Sequence, residues 1–534
     1  MPSSRIVLAA TTVTFALLVA TGVSVHADGN LHNVNHIIIV MQENHSFDNY
    51  LGALPYASGT PYHRATGACA SGDHTCVDGL SCTRIAGNYT CTNSNLDDDG
   101  STAFAFHDAR YCTGPDLQHN WPGSHMEANF SNPAAALAFS PNDGFVRVND
   151  AQEQHDTNTG ENPTDDDTMG FYNESDLPFY YALAETFAID DRYFCSVVGP
   201  TFPNRSYEMA ATSFGHLTTC EIFPPPGGYK PITGTIFDLL DQKGINWVNY
   251  FSDQPTSGIF RPFLSSHLAP VSAFFSQAAA GTLPPVSFID PSFMPDQCIN
   301  GSVFETDEHP PSDIRAGQYV VSQIVNALRN GPNWKDSILF ITYDEHGGFY
   351  DHVAPAPAPQ GGALNPDGIN PGECEDLSNP PTSEQPGCGA QCSMNTSLCG
   401  PGTGSQSDAA AICPGFTVTG GPSCSTQTGP YPASCANFNQ LGFRVPFIAV
   451  SPFSKPHYVS HTIGDHTSLL ALIEKRFLSN ENMDVRPHLT ARDLYAATLE
   501  DMFNFNTAPS MKTSVPTAPP PTASDPGCAP GPPC

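Results

Sequence analysis

Five short apolar runs punctuate the chain: His36–Met41, Asn246–Phe251, Val286–Asp290, Ile338–Tyr343 and Val445–Val450. Runs of this length, bounded by turn-forming residues, predict strands buried on both faces. Helical spacing follows several of them. In Asp313–Leu328, the residues Ile314, Val320, Val321, Ile324, Val325 and Leu328 form one face, with Ser312 or Asp313 as a cap and Gly331 as a stop. His466–Phe477 repeats the pattern with Leu469, Leu470, Ile473 and Phe477. Strand–loop–helix alternation predicts an α/β fold, a mostly parallel sheet with helices on both faces. Ligands of such sheets bind beyond the carboxyl ends of the strands.

Two stretches, about 65–112 and 355–440, break the alternation. They are rich in Gly, Ser, Thr, Asp and Pro, and hold five cysteines in Cys69–Cys112 and seven in Cys374–Cys435. Such segments read as loop insertions stapled by disulfides. Cys195, Cys220 and Cys298 lie between the clusters and Cys528 and Cys534 beyond them; because 17 is odd, one thiol is free or pairs between chains. Residues 1–27 carry Arg5, the apolar run Ile6–Val25 and a small-residue end at Ala27, the pattern of a secretory signal. With so many cysteines, a secreted location is expected, with the periplasm or cell surface as alternatives. Residues 28–506 then form one catalytic-sized domain, and the Pro-rich stretch 507–534 a flexible tail. Acidic residues outnumber basic ones 53 to 20, for a net charge of -33. This excludes a nucleic-acid partner and weakens attraction to anionic membranes, leaving transient membrane-surface contact open and the oligomeric state unspecified.

Two of the strands end alike. His36–Val40 runs on to Glu43 and Asn44, and Ser337–Tyr343 runs into Asp344 and Glu345. Each end sets adjacent hard-oxygen side chains at the sheet rim, where clustered carboxylates call for a divalent cation; capping and turn chemistry is the alternative. Thr201, in Val197–Arg205, stands before a helix-like Ser206–Ser213, where backbone N–H groups favour anions. Its hydroxyl attacks only when activated, and a simple helix cap is the plainer reading. Arg205 clamps a phosphate or pairs with an acidic neighbour. His119, His309 and His466 each lie near an acidic residue, a setting for a general acid, a phosphate ligand or a structural hydrogen-bonder.

Taken together, Glu43-Asn-His-Ser-Phe-Asp48, Gly199-Pro-Thr-Phe-Pro-Asn-Arg205, Asp307-Glu-His-Pro-Pro311 and Tyr343-Asp-Glu-His-Gly-Gly-Phe349 resemble, in order, the bacterial phospholipase C and acid phosphatase superfamily, which includes the plant non-specific phospholipases C. The resemblance runs from about His36 to Phe477. It implies an alkaline-phosphatase-like fold and a metal-assisted phosphoesterase site. Position by position, it implies that Glu43, Asn44, Asp344, Glu345 and the Thr201 hydroxyl bind one divalent ion (calcium, magnesium, manganese or iron). Thr201 would attack phosphorus and form a phosphothreonine, His119 would protonate the leaving alcohol, and His309 and His466 would line the phosphate pocket. Asn204 and Arg205 would hold phosphate oxygens. The substrate would be a phospholipid or a small phosphate ester, and Thr rather than Ser at 201 leans towards phospholipase C. A broad acid phosphatase is the runner-up; a non-catalytic extracellular binding protein ranks below it. A sulfatase would need Cys or Ser at 201. Leu117-Gln118 and His45 depart from the family pattern, and the Cys-rich insertions have no counterpart in it.

Overall fold

The computed structural model describes residues 30–97, 99–112, 116–132, 140–155, 166–217, 219, 228–260, 266–359, 366–368, 438–480, 482, 485–511, 515–522, 528 and 534. The expected signal segment, residues 1–27, Cys220 and the cluster Cys374–Cys435 lie outside them. The central sheet comprises eight strands: β1 (His36–Gln42), β2 (Ala188–Asp190), β3 (Trp247–Phe251), β4 (Leu268–Pro270), β5 (Val286–Ile289), β6 (Ser337–Tyr343), β7 (Phe447–Val450) and β8 (Val459–Ser460). Their order is β4-β3-β5-β1-β6-β7-β2-β8. Only the pairings of β7 are antiparallel. Strands β2, β4 and β8 span two or three residues, too short to leave a periodic trace in the sequence.

Register places the site. His36 pairs with Ser337 and Gln42 with Tyr343, so β1 and β6 end side by side and release Glu43 and Asp344 at the same rim. Both strands are apolar throughout because both sheet faces are covered; Ile37–Val40 and Ile338–Ile341 are buried. Each such side chain contributes about 1.5–3 kcal/mol of transfer free energy.

Five helices position the chemistry: α1 (Phe47–Leu51), α2 (Pro178–Thr186), α3 (Thr201–Ala210), α4 (Ile314–Asn330) and α5 (His466–Ile473). Tyr343 of β6 and Tyr180 of α2 both donate to Glu308, which puts α2 over one face. Phe340 has the opposite parity. It packs on Phe447, which stacks on Tyr193, which meets His466 at the start of α5. Helices therefore cover both faces. As the pattern predicts, Asp313 caps α4 through Arg315 N–H (3.0 Å) and Gly331 follows its last residue. The run ending at Phe477 is α-helical only to Ile473 and then widens into a π turn, Glu474–Leu478.

The first insertion carries disulfides Cys69–Cys76 and Cys82–Cys91, the latter closing a hairpin. The tail differs from the expectation of a flexible end. Cys112–Cys528 and Cys298–Cys534 anchor it across 416 and 236 residues, and Val515 and Ala518 are buried in the core. Among the described cysteines, Cys195 is the free, buried thiol.

Charge ties the first insertion to the sheet. Buried Arg444 donates to Asp351 (2.9 Å), Asp48 (3.0 Å) and the Asp78 carbonyl (2.8 Å). His352 bridges Asp48 (2.6 Å) and Asp78 (3.2 Å). Burial opposes the charge on His352, yet Asp48 and Asp78 outweigh it and raise its pKa from 6.5 to about 9. A histidine raised on folding stabilises the protein fully below pH 6.5, and that contribution fades as pH climbs through 9. It amounts to about 3 kcal/mol at most. Denaturant midpoints should therefore fall between pH 6.5 and 9, and His352→Gln should flatten that slope; an equal slope in the variant refutes the assignment.

Candidate active site

Just past β1 the backbone of Asn44 turns left-handed, with φ 65°, and its N–H approaches Asp344 Oδ1 at 3.3 Å. Just past β6, Gly347 (φ 64°) lies so close that a Cβ would stand 2.2 Å from the Asn44 carbonyl, which explains the glycine there. The two strand ends thus interlock. Glu345 is wholly buried; its Oε2 accepts Gly347 N–H (2.8 Å) and lies 3.3 Å from His346 Nδ1. His346 in turn pairs through Nε2 with buried Glu127 (2.7 Å), whose carboxylate raises its pKa to about 9 against the pull of burial.

Arg205, one turn into α3, runs between the strand ends. Its Nη2 donates to Glu43 (3.1 Å), its Nε to Asp344 (3.2 Å), and its Nη1 lies 3.9 Å from Asp290, the residue after β5. The side chain is 1% exposed and lies over the Phe293 ring. Sequence reasoning left open whether Arg205 clamps a phosphate or pairs with acidic neighbours; the structure places it among three carboxylates. Asp290 was missed, although an acidic residue ending a central apolar run was a usable signal. Burial and then Glu43 raise the pKa of Asp344, and Arg205 holds it back.

Thr201 is the first residue of α3, on the same helix face as Arg205 one turn away, and is 8% exposed. Phe202 N–H donates to Thr219 Oγ1 (3.1 Å) and Pro203 has no N–H, which narrows what this helix end offers a phosphate. The Asn204 side chain is committed elsewhere. Its amide holds the preceding loop, accepting Val197 N–H and donating to the Val197, Gly199 and Pro200 carbonyls.

The histidines divide. His119 and His309 donate Nδ1–H to the Leu117 and Pro310 carbonyls (2.8 and 2.6 Å), and their rings meet edge-on at 6.0 Å. His119 Nε2 lies 3.9 Å from Glu345 Oε1. Burial opposes charge on both; Glu345 and Asp116 nonetheless raise His119, and Asp116, Glu43 and Asp307 raise His309 to about 10. His466 is different. Burial lowers it to about 4, Nε2 donates to the Asp344 carbonyl (2.7 Å) and Nδ1 accepts from Tyr193. Both ring nitrogens are engaged, so it supports Asp344 rather than opening into a phosphate pocket.

The donors suit a hard divalent ion. Both amide atoms of buried Asn44, and Glu345 Oε1, have no hydrogen-bond partner, an unusual cost unless a ligand completes them. Among the described residues, the groups of three His, Cys, Asp or Glu donors lying within 4.8 Å of one another include Asp116, His119 and His309, whereas Glu43, Asp344 and Glu345 do not form one. Glu43 and Asp344 instead share the Arg205 guanidinium.

The sequence matches the phosphoesterase family over residues 34–478. The chain belongs to the phosphoesterase family, hydrolases of phosphoric ester bonds. It is 31% identical to non-specific phospholipase C6 of Arabidopsis thaliana over 64% of this chain, and spans 54%, about half, of that relative. It is 28% identical to phospholipase C B of Mycobacterium tuberculosis, over 90% of this chain and 80% of the relative. A solved structure from Vibrio parahaemolyticus, described as a protein in the alkaline phosphatase superfamily, shares 11% identity over 56% of this chain and 60% of that one, with a TM-score of 0.27. Among the described residues of this phosphoesterase, no helix is long and apolar enough to cross a membrane.

Removing the Arg205 guanidinium leaves Glu43, Asp344 and Asp290 uncompensated in the interior. Arg205→Ala should therefore destabilise the fold by about 3–5 kcal/mol in denaturant titration. Arg205→Lys should recover only part, because a point charge cannot serve Glu43 and Asp344 together; full recovery would show that charge alone matters.

Proposed function

We propose that this phosphoesterase is a secreted, metal-dependent enzyme of phospholipase C type that works through a phosphothreonine at Thr201. The observation that carries the reading is the meeting of Glu43-Asn44 and Asp344-Glu345 around the side chain of Arg205, a residue one helical turn after Thr201 on α3. Relatives named phospholipase C support the substrate class. Paired cysteines fit an oxidising exterior.

Asn44 and Glu345, with their unpartnered oxygens, would hold a divalent ion together with Glu43, Asp344 and Thr201. When bound, the ion supplies positive charge that acidifies the threonine hydroxyl and neutralises phosphoryl oxygens. The chain's own residues do the rest. Thr201 Oγ1 gives up its proton to bulk water and attacks phosphorus, forming the Thr–O–P bond while the P–O bond to the alcohol breaks. His119, with Nδ1–H fixed on the Leu117 carbonyl, presents Nε2 and gives its proton to the departing oxygen. His309, held cationic by its acidic neighbours, offers positive charge to the phosphoryl group. Water then attacks phosphorus and gives one proton to His119, and the Thr–O–P bond breaks as Thr201 Oγ1 regains a proton from solvent. Asn204 shapes the loop before Thr201, and His466 holds Asp344 in place.

Thr201→Ala should fold as the parent does and lose at least about 10³-fold in turnover of phosphatidylcholine. Chelation should abolish parent activity, and quenched reactions should show phosphate on Thr201. Retained turnover in Thr201→Ala overturns the mechanism. Fast cleavage of an aryl phosphate without diacylglycerol release would replace phospholipase with monoesterase activity.

A further inference from the structure

We propose that Glu308 is a positioning residue that fixes the spacing between the two cation-holding strand ends and His309; the inference rests on the functional reading above. Glu308 is fully buried. Its Oε2 accepts hydroxyls from Tyr50 (2.7 Å) and Tyr343 (2.5 Å), and its Oε1 accepts Tyr180 (2.6 Å) and Gln42 Nε2 (3.3 Å). All four of these donors are neutral. A buried carboxylate is tolerable without an ion pair only when its oxygens are saturated in this way.

The origin of the donors gives the cage its meaning. Gln42 ends β1 and immediately precedes Glu43. Tyr343 ends β6 and immediately precedes Asp344. Tyr50 lies in α1, just beyond Asn44, and Tyr180 in α2. One carboxylate therefore grips the residue before each acidic strand end. Its own backbone completes the tie: the Glu308 carbonyl accepts His45 Nε2–H (2.8 Å), and the carbonyl of the preceding Asp307 accepts Glu43 N–H (2.9 Å). His309 follows directly. Glu308 also holds a left-handed φ of 72°, a strained setting for a residue with a side chain. Gly317 of α4 makes room for it, since a Cβ there would fall 2.2 Å from Glu308 Cγ. Strain held by five partners suits a part whose position matters more than its chemistry.

Two variants probe the cage from opposite sides. Tyr343→Phe removes one hydroxyl without changing shape, and Gly317→Ala pushes Glu308 from α4 without touching a ligand. Each is compared with the parent by Mn²⁺ calorimetry, thermal melting and steady-state kinetics on phosphatidylcholine. The expected result is a folded protein whose Mn²⁺ affinity and kcat fall by about 10–100-fold, with KM little changed. Folded variants with a lowered Tm but parental Mn²⁺ affinity and kcat would overturn the proposal and leave Glu308 a purely structural group. A parent chain that neither binds Mn²⁺ nor cleaves phosphatidylcholine would overturn the functional reading itself, so the two failures are distinct.

Discussion

The buried guanidinium of Arg205 is the contact on which the site depends. Parallel pairing of β1 and β6 in register delivers Glu43 and Asp344 side by side, and β5 adds Asp290 from the next strand. Three carboxylates meeting in a water-poor interior repel one another strongly. Arg205 answers them from α3, the helix that begins at Thr201, so electrostatic compensation and placement of the hydroxyl come from one element. The arrangement leaves the Asn44 amide and Glu345 Oε1 buried without hydrogen-bond partners. Arg205 thus balances Glu43 and Asp344, while two neighbouring side chains keep buried, unpartnered oxygens.

The same logic sorts the histidines, which sequence spacing alone treats as equals. His309 and His119 lie beside Asp116 and Glu345, and their charged forms are favoured. His45 and His466 donate to backbone carbonyls in the interior, and desolvation lowers both to about 4. A histidine kept neutral can still act as a rigid hydrogen-bonding strut, and His466 does so for the Asp344 backbone. Environment, rather than residue type, separates groups able to carry a proton from groups that hold the frame.

Much of the fold was legible because its signals are local. The long apolar strands, the cap and stop of α4, and the acidic strand ends each occupy a few consecutive residues. What escaped detection is nonlocal. Asp290 becomes part of the site only through strand order, and Glu308 only because Tyr50, Tyr180 and Tyr343 converge from three elements. The orientation of Arg205 depends on partners 139 and 162 residues away. The tail reads as flexible from its prolines, since composition reports the chain's stiffness and not which cysteine it reaches.

That tail and the first insertion bear on the site through what they restrain. Cys112 lies a few residues before Asp116 and His119, and Cys298 about ten before Asp307 and His309; each is bonded to the tail. The segments bearing the two ionisable histidines are loops, with few ladder hydrogen bonds to hold them, and loops lose position before strands do. A crosslink closing several hundred residues of chain limits the alternatives open to such segments in the unfolded ensemble. On the other flank, Arg444 and His352 bind Asp78 of the insertion to Asp48, four residues after Asn44. The sheet supplies the carboxylates in fixed register. Disulfides and a buried charge network steady the irregular segments around them, so the acidic strand ends and the histidine loops are restrained by different kinds of bond.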